Sequence, residues 1–359
     1  MIPLAKPAVT HEEAEAVYRV VASGVLSGGP LVPQFEAAMA NQCQTAYAVA
    51  VNSGTSALHC ALLASGIGPG DEVITTPFSF VASANCIEMV GARPVFVDID
   101  PLTWNLDATH IAGVITPRTR AILAVDLFGR CADWTTVTTI AEQHGLLLIE
   151  DACEALGATH AGRPAGSFGD VAVLGFYPNK QLVTGEGGMV LTPHTETALM
   201  ARSLRNHGRV NGENDGPMVR LGYNYRLTEM QAALGLSQLA RLPEMLQRRA
   251  LCAARYTQLL PAMAPTPCTS VEIQSWFTYV VQVPHREAVI ERMAEAGIAC
   301  GRYFSPIHLQ PYYRKKYGYQ NGAFPITERV AWQAVALPLY PTLTIEHQDY
   351  ICKTLREIV

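Results

Sequence analysis

Two oppositely charged residues stand at the ends of successive apolar runs. Leu146-Leu147-Leu148-Ile149 closes with Glu150 and Asp151, and the following run, Val171-Ala172-Val173-Leu174, leads to Lys180. Lysine is scarce, with Lys6, Lys180, Lys315, Lys316 and Lys353 the only five, so Lys180 is alone across the middle of the chain. A Tyr-Pro-Asn turn precedes it, and Thr184-Gly185-Glu186-Gly187-Gly188 follows, too glycine-rich for an ordinary helix. An isolated lysine most often sits in water or in a salt bridge. Here the neighbouring acid changes the reading. If the apolar runs are strands of an open α/β sheet, Asp151 and Lys180 emerge at its carboxyl edge, where ligands bind. An acid and an amine at adjacent strand ends are the two protein groups that pyridoxal phosphate requires. The lysine forms the Schiff base, and the aspartate keeps the pyridine nitrogen protonated so that the ring withdraws electrons. The glycines after Lys180 let backbone approach such a cofactor closely.

A phosphate cradle is the third requirement. The stretch VNSGTSALHCALLASG, residues 51 to 66, reads as strand, turn and helix. Gly54 and Thr55 open that helix, where free N–H groups and the helix dipole favour a dianion, and the Thr55 hydroxyl adds a donor. The same turn would cap an ordinary helix. Its meaning comes from standing in order with Asp151 and Lys180.

The elements that must hold these residues alternate along the chain. Strands are predicted at 47–51, 72–75, 94–97, 121–125, 146–149, 171–174 and 188–191, with helices over 55–65 and 82–90. Continuous apolar strands alternating with helices predict an α/β fold, a mostly parallel sheet covered by helices on both faces. One long amphipathic helix is predicted over Leu227–Ala250, and a strand at 276–283 opens a smaller α+β unit. The expected division is a large domain, 1–245, and a small C-terminal domain, 246–359.

Composition narrows the function classes. The 359 residues are 49% hydrophobic and 16% charged with a net charge of -5, a balance that excludes a basic face for nucleic acid. Apolar runs are strand-sized, so no membrane span is expected, and the start lacks the apolar core of a secretory signal. The nine cysteines are scattered without a CxxC pair, which predicts reduced thiols, a cytoplasmic protein and no metal site.

Five segments, VNSGTSALHCAL, TTPFSFVASANCIEMVGARPVFVDID, IEDACEALGA, FYPNKQLVTGEGG and LGYNYRLTEMQAALGLSQL, resemble in order the DegT/StrS-type sugar aminotransferases. These are pyridoxal-phosphate enzymes of the aspartate-aminotransferase fold, and the resemblance covers nearly the whole chain. It implies that Lys180 carries the cofactor and moves the proton, with pyridoxamine phosphate as the alternate cofactor form. Relatives with histidine at that position dehydrate sugars, so Lys180 implies amino transfer. Asp151 matches the partner of the ring nitrogen, and Phe80 the aromatic residue stacked on the ring. Glu154 matches a polar position near the 3-hydroxyl, where many relatives have glutamine. Asn224 matches an asparagine that reaches the phosphate of the neighbouring subunit, implying a homodimer with shared sites. The long helix, apolar on more than one face, also asks for a second surface. His308 and Tyr312 fall in a segment that the family brings near the active site. Gly175 departs from the serine that many relatives use at the phosphate. Glutamate is the implied amino donor and a ketosugar, nucleotide-linked in most relatives, the acceptor. A pyridoxal-phosphate sugar dehydratase or lyase, and a non-catalytic regulatory homologue, are the alternatives. Lys180 speaks against the first, and the intact set Thr55, Asp151 and Lys180 against the second.

Overall fold

A computed structural model of the chain describes residues 1–213, 215–269 and 271–359. Helices α1 (His11–Ser23) and α2 (Leu31–Gln42) precede β1 (Tyr47–Val51), and α3 (Gly54–Ala64) follows it. The alternation continues through β2 (Glu72–Thr75), α4 (Ala82–Met89), β3 (Arg93–Phe96), β4 (Thr119–Val125), α5 (Trp134–His144) and β5 (Leu147–Asp151). A small hairpin, β6 (Thr159–His160) and β7 (Arg163–Pro164), leads to β8 (Val171–Gly175), β9 (Gly188–Thr192) and α6 (Thr195–Arg205).

Seven of these strands form one sheet in the order β1-β9-β8-β5-β4-β2-β3. The pairs β2–β3, β2–β4, β4–β5 and β5–β8 are parallel, whereas β9 runs against both β1 and β8. Residues from α2, α5 and the long helix described below, among them Phe35, Met39, Trp134 and Leu242, bury one face. Leu58, Leu62, Ile87 and Ala201, from α3, α4 and α6, bury the other. Coverage on both sides is why the strands read as unbroken apolar runs.

The long helix is α7 (Glu229–Leu259). Thr228 Oγ1 accepts from Gln231 N at 3.2 Å while Gln231 Oε1 accepts from Thr228 N at 3.0 Å, a reciprocal cap that fixes its start. It extends beyond the expected Ala250 because its buried face continues through Cys252, Ala253 and Tyr256 into a second core. Along it, core membership passes from Met245 to Cys252.

Beyond it, β10 (Glu272–Ile273) pairs with β6. Then come β11 (Tyr279–Gln282), α8 (Arg286–Glu295), α9 (Pro311–Tyr317), α10 (Pro325–Gln333), β12 (Ala334–Leu337) and α11 (Ile345–Ile358). β11 and β12 form an antiparallel pair over a core that includes Tyr279, Met293, Ile351 and Leu355. The strand begins later than the expected 276 because Trp276 is left-handed at φ 53°. The first residues also depart from the expected division. Ile2 packs into this C-terminal core, donating its N–H to Gly297 O at 2.7 Å and accepting from Ala299 N at 3.0 Å.

Among the described residues no helix is long and apolar enough to cross a membrane, and no cluster of metal-ligating side chains occurs. All nine cysteines are unpaired.

Candidate active site

A cavity of about 500 Å³ opens at the carboxyl edge of the large sheet, lined by Gly54, Thr55, Phe80, Asp151, Glu154 and Lys180 among others. These are the positions on which the sequence expectation rested, and the fold brings them together. The edge is the consequence of β5 and β8 running in parallel, so that their ends deliver Asp151 and the Lys180 turn to the same rim.

Lys180 sits at the end of a turn closed by its N–H donating to Tyr177 O at 2.9 Å. Its Nζ lies 3.5 Å from Glu154 Oε1 and 4.2 Å from the centroid of the Phe277 ring. The amine therefore rests between a carboxylate and an aromatic face. Its backbone is held from behind by Arg249 of α7. That buried guanidinium donates through Nη2 to Lys180 O at 3.1 Å, and through Nη1 to Trp276 O, Phe277 O and Leu339 O at 3.2, 3.3 and 3.5 Å. Burial pulls the Arg249 pKa down to about 10.

Asp151 is the last residue of β5 and is buried. Ser83 Oγ donates to its Oδ2 at 2.7 Å and Cys153 N to its Oδ1 at 3.2 Å. The preceding acid has a different fate, because successive side chains on a strand face opposite ways. Glu150 accepts from Gly166 N at 2.6 Å and Phe168 N at 2.8 Å inside the core. Its carboxyl adjoins that of Asp126, whose Oδ1 accepts from Ala132 N and Trp134 Nε1. Burial raises the pKa of both, so the pair holds a proton well above the usual carboxylate range.

Glu154 Oε2 accepts from Phe128 N at 3.1 Å, a contact made possible by the left-handed backbone of Phe128 at φ 54°. Burial raises the Glu154 pKa, and the Lys180 charge opposes that rise.

The cradle is a tight crossing of backbones. Ser53 caps α3, its Oγ accepting from Ser56 N at 3.0 Å. A Cβ added at Gly54 would lie 3.0 Å from Cys153 Sγ, and one at Gly188 only 2.3 Å from Ser53 O. Glycine at both positions thus permits β9 and the Cys153 turn to pass directly beneath the helix start. The first-turn amides of α3, Gly54 and Thr55 among them, have no acceptor within the helix. Gly175 also lines the cavity, and a Cβ there would touch Cys153 Sγ at 3.4 Å. The thiol borders the space that a serine side chain would take.

Phe80 is 59% exposed over the cavity, with the Phe304 ring 6.4 Å away. Asn224 is exposed and outside the lining of its own chain's cavity, its carbonyl accepting from Asn52 Nδ2 at 3.4 Å. The structure does not bring His308 and Tyr312 to the cavity. His308 is fully buried, 3.1 Å from Glu328 Oε1 and packed on the Phe324 ring. Tyr312 lies on exposed α9 and donates its hydroxyl to Glu88 Oε2 at 3.2 Å. Packing between α9, α10 and α4 accounts for both.

Several lining residues had no sequence signal, notably Phe277, Tyr303 and Phe304, which arrive from the C-terminal unit. Ser83 had none either.

The residues present suit pyridoxal phosphate. One cavity offers an amine, an ionisable acid held by two donors, an exposed aromatic face and a helix N-terminus crossed by glycine backbone.

Comparison with known proteins agrees. Residues 7–356 match the model of the DegT/DnrJ/EryC1/StrS aminotransferase family. GDP-perosamine synthase of Caulobacter vibrioides is 37% identical over 370 residues, spanning 100% of this chain and 98% of that protein. The X-ray structure of S. venezuelae DesV in complex with a ketimine intermediate superposes with a TM-score of 0.92 at 36% identity, over 96% of this chain and 94% of that one. The PMP-form of Spr1654 from Streptococcus pneumoniae gives a TM-score of 0.95 at 28% identity, over 100% and 99% of the two chains. The chain belongs to the DegT/DnrJ/EryC1/StrS aminotransferase family and is a pyridoxal-phosphate-dependent aminotransferase of amino-sugar biosynthesis.

Proposed function

We propose that the enzyme moves the amino group of glutamate to a ketosugar carried on a nucleoside diphosphate, acting in the cytoplasm as a homodimer with shared sites. The observation that carries amino transfer is Lys180, a lysine in the same cavity as Asp151 and 3.5 Å from Glu154. The nucleotide is supported by the 37% identity to a protein named for a GDP-linked sugar.

When bound, the cofactor supplies an electron-withdrawing ring that lets a C–H bond beside the transferred nitrogen ionise. Lys180 would hold it through Nζ, and that amine is the group in the cavity placed to take up and return a proton. Asp151 keeps the ring nitrogen protonated. The amides of Gly54 and Thr55, with the Thr55 hydroxyl, hold the phosphate at the positive end of α3. Phe80 offers its exposed ring to the cofactor, and Glu154 stands by the 3-hydroxyl. Phe277, set under the Lys180 ammonium, keeps water from that side of the amine. Asn224 of each subunit serves the phosphate of the other.

The test is a panel of ketosugars, each offered free and linked to different nucleotides, with glutamate as donor. Formation of an aminosugar and 2-oxoglutarate from a linked sugar supports the reading. Amination of free sugars alone would remove the nucleotide from it, and a dehydrated product without nitrogen would assign the lyase reaction instead.

A further inference from the structure

The acid that serves the ring nitrogen does not stand by itself. Both oxygens of Asp151 are occupied by donors from its own chain, and one of those donors is a side chain from a different element. Ser83 lies in the first turn of α4, buried, with its Oγ 2.7 Å from Asp151 Oδ2. The same oxygen is 3.3 Å from Phe80 O, and Ser79 Oγ lies 3.3 Å from it. A hydroxyl has one proton to give. The short contact to a carboxylate is roughly twice as strong as a long one to a neutral carbonyl, so the proton goes to Asp151. Ser83 thereby ties the acid to the same turn that presents Phe80.

We propose that Ser83 is a positioning residue of this enzyme, orienting the Asp151 carboxylate toward the pyridine nitrogen from its place beside Phe80. The inference rests on Asp151 being the ring-nitrogen partner. With Oδ2 fixed by Ser83 and Oδ1 by the Cys153 amide, the carboxylate cannot swing about its Cβ–Cγ bond. Its remaining lone pairs are left for the ring. Without the hydroxyl, Oδ2 is a buried charged oxygen with no donor, free to turn toward the Cys153 side.

The experiment is a double-mutant cycle on the full-length enzyme, with two readouts. One is equilibrium binding of pyridoxal phosphate to cofactor-stripped protein, and the other is the single-turnover rate with glutamate. Ser83→Ala should weaken cofactor binding about tenfold and slow the half-reaction by a similar factor, as loss of a hydrogen bond to a charged group does. Ser83→Thr, which keeps the hydroxyl, should recover most of both. In an Asp151→Asn background Ser83→Ala should change either quantity by less than about twofold, because the charge it serves is gone. An equal loss in both backgrounds, or a Ser83→Ala protein that melts lower but binds cofactor normally, would overturn the assignment and leave Ser83 as packing for α4. Normal binding and rate in Asp151→Asn alone would instead overturn the role given to Asp151.

Discussion

Replacing Gly188 with alanine should damage the cofactor site without touching a catalytic group. Gly188 is paired with Val51 in β1 on one side and with Gly175 in β8 on the other, so the sheet holds it in place. A Cβ at this position would lie 2.3 Å from Ser53 O, 2.5 Å from Ser53 C and 2.8 Å from Gly54 N, all backbone of the turn that opens α3. Carbon and carbonyl oxygen rest at about 3.3–3.6 Å, so roughly 1 Å of movement must be found. Overpacking costs about 1–3 kcal/mol, and a clash of backbone with a pinned strand belongs at the upper end, about 3 kcal/mol. That energy has two places to appear. If the turn stays put, the empty protein loses about 3 kcal/mol of stability. If the turn retreats, its amides leave the phosphate position, and binding must restore them at a loss of roughly 100-fold in Kd. The sum of the two losses should therefore come to about 3 kcal/mol however it is divided. Denaturant unfolding of the stripped protein and cofactor titration of the same sample measure the two parts. Gly113→Ala is the control, since nothing lies within 4 Å of a Cβ there. A Gly188→Ala protein within about 0.5 kcal/mol of wild type by both measures would refute the reasoning and show the turn to be compliant.

Three further outcomes are expected. Borohydride reduction followed by peptide mapping should place the pyridoxyl label on Lys180, and Lys180→Ala should lose transamination; a label on Lys315 or Lys316 would contradict this. Mixing inactive Lys180→Ala with inactive Asn224→Trp protein should restore activity towards half per heterodimer formed, since one site then carries both lesions and the other neither. Subunit exchange without recovery would confine Asn224 to its own chain. The buried Glu150–Asp126 pair should make stability fall as pH rises. Asp126 is lifted from its ordinary 3.8 to about 6, mainly by burial, so the folded state holds a proton that the unfolded state has released. The contribution is intact below about pH 4 and lost through about pH 6 and above. Melting temperature of wild type minus that of Asp126→Asn should therefore become more negative from pH 4 to 7, and a rising difference would show that the pair is not protonated.

What could be read from the chain was local. Asp151, Lys180 and the Ser53-Gly54-Thr55 turn announce themselves by type and position within single segments, and the buried strands by unbroken apolar runs. The direction of β9 was not legible, because a fully buried five-residue strand reads alike either way. Trp276 delays the start of the expected strand through a left-handed backbone that no apolar pattern signals. Ile2 joins the C-terminal core through contacts with residues nearly 300 positions away, beyond any local periodicity. His308 illustrates the limit of resemblance: its neighbourhood in sequence suggested substrate, whereas Glu328 and Phe324 enclose it. Ser83 needed the third dimension, since only the fold sets α4 against the end of β5.

Arg249 gives the two cores a common point of failure. A guanidinium stripped of its acceptors does not remain in a protein interior, because the cost of an unsatisfied buried charge exceeds what the packing around it returns. Three of its four acceptors, at Trp276, Phe277 and Leu339, belong to the C-terminal unit, and the fourth is the carbonyl of Lys180. Detaching that unit would oblige the charge to find water, and α7 would have to roll to let it out, freeing the lysine's backbone as it went. The amides of β11 and of the turn ending at Lys180 should then exchange with solvent in one cooperative opening, not one after the other. The hold on Lys180 would thus go when the C-terminal unit lets go, even while the strands on either side of it remain folded.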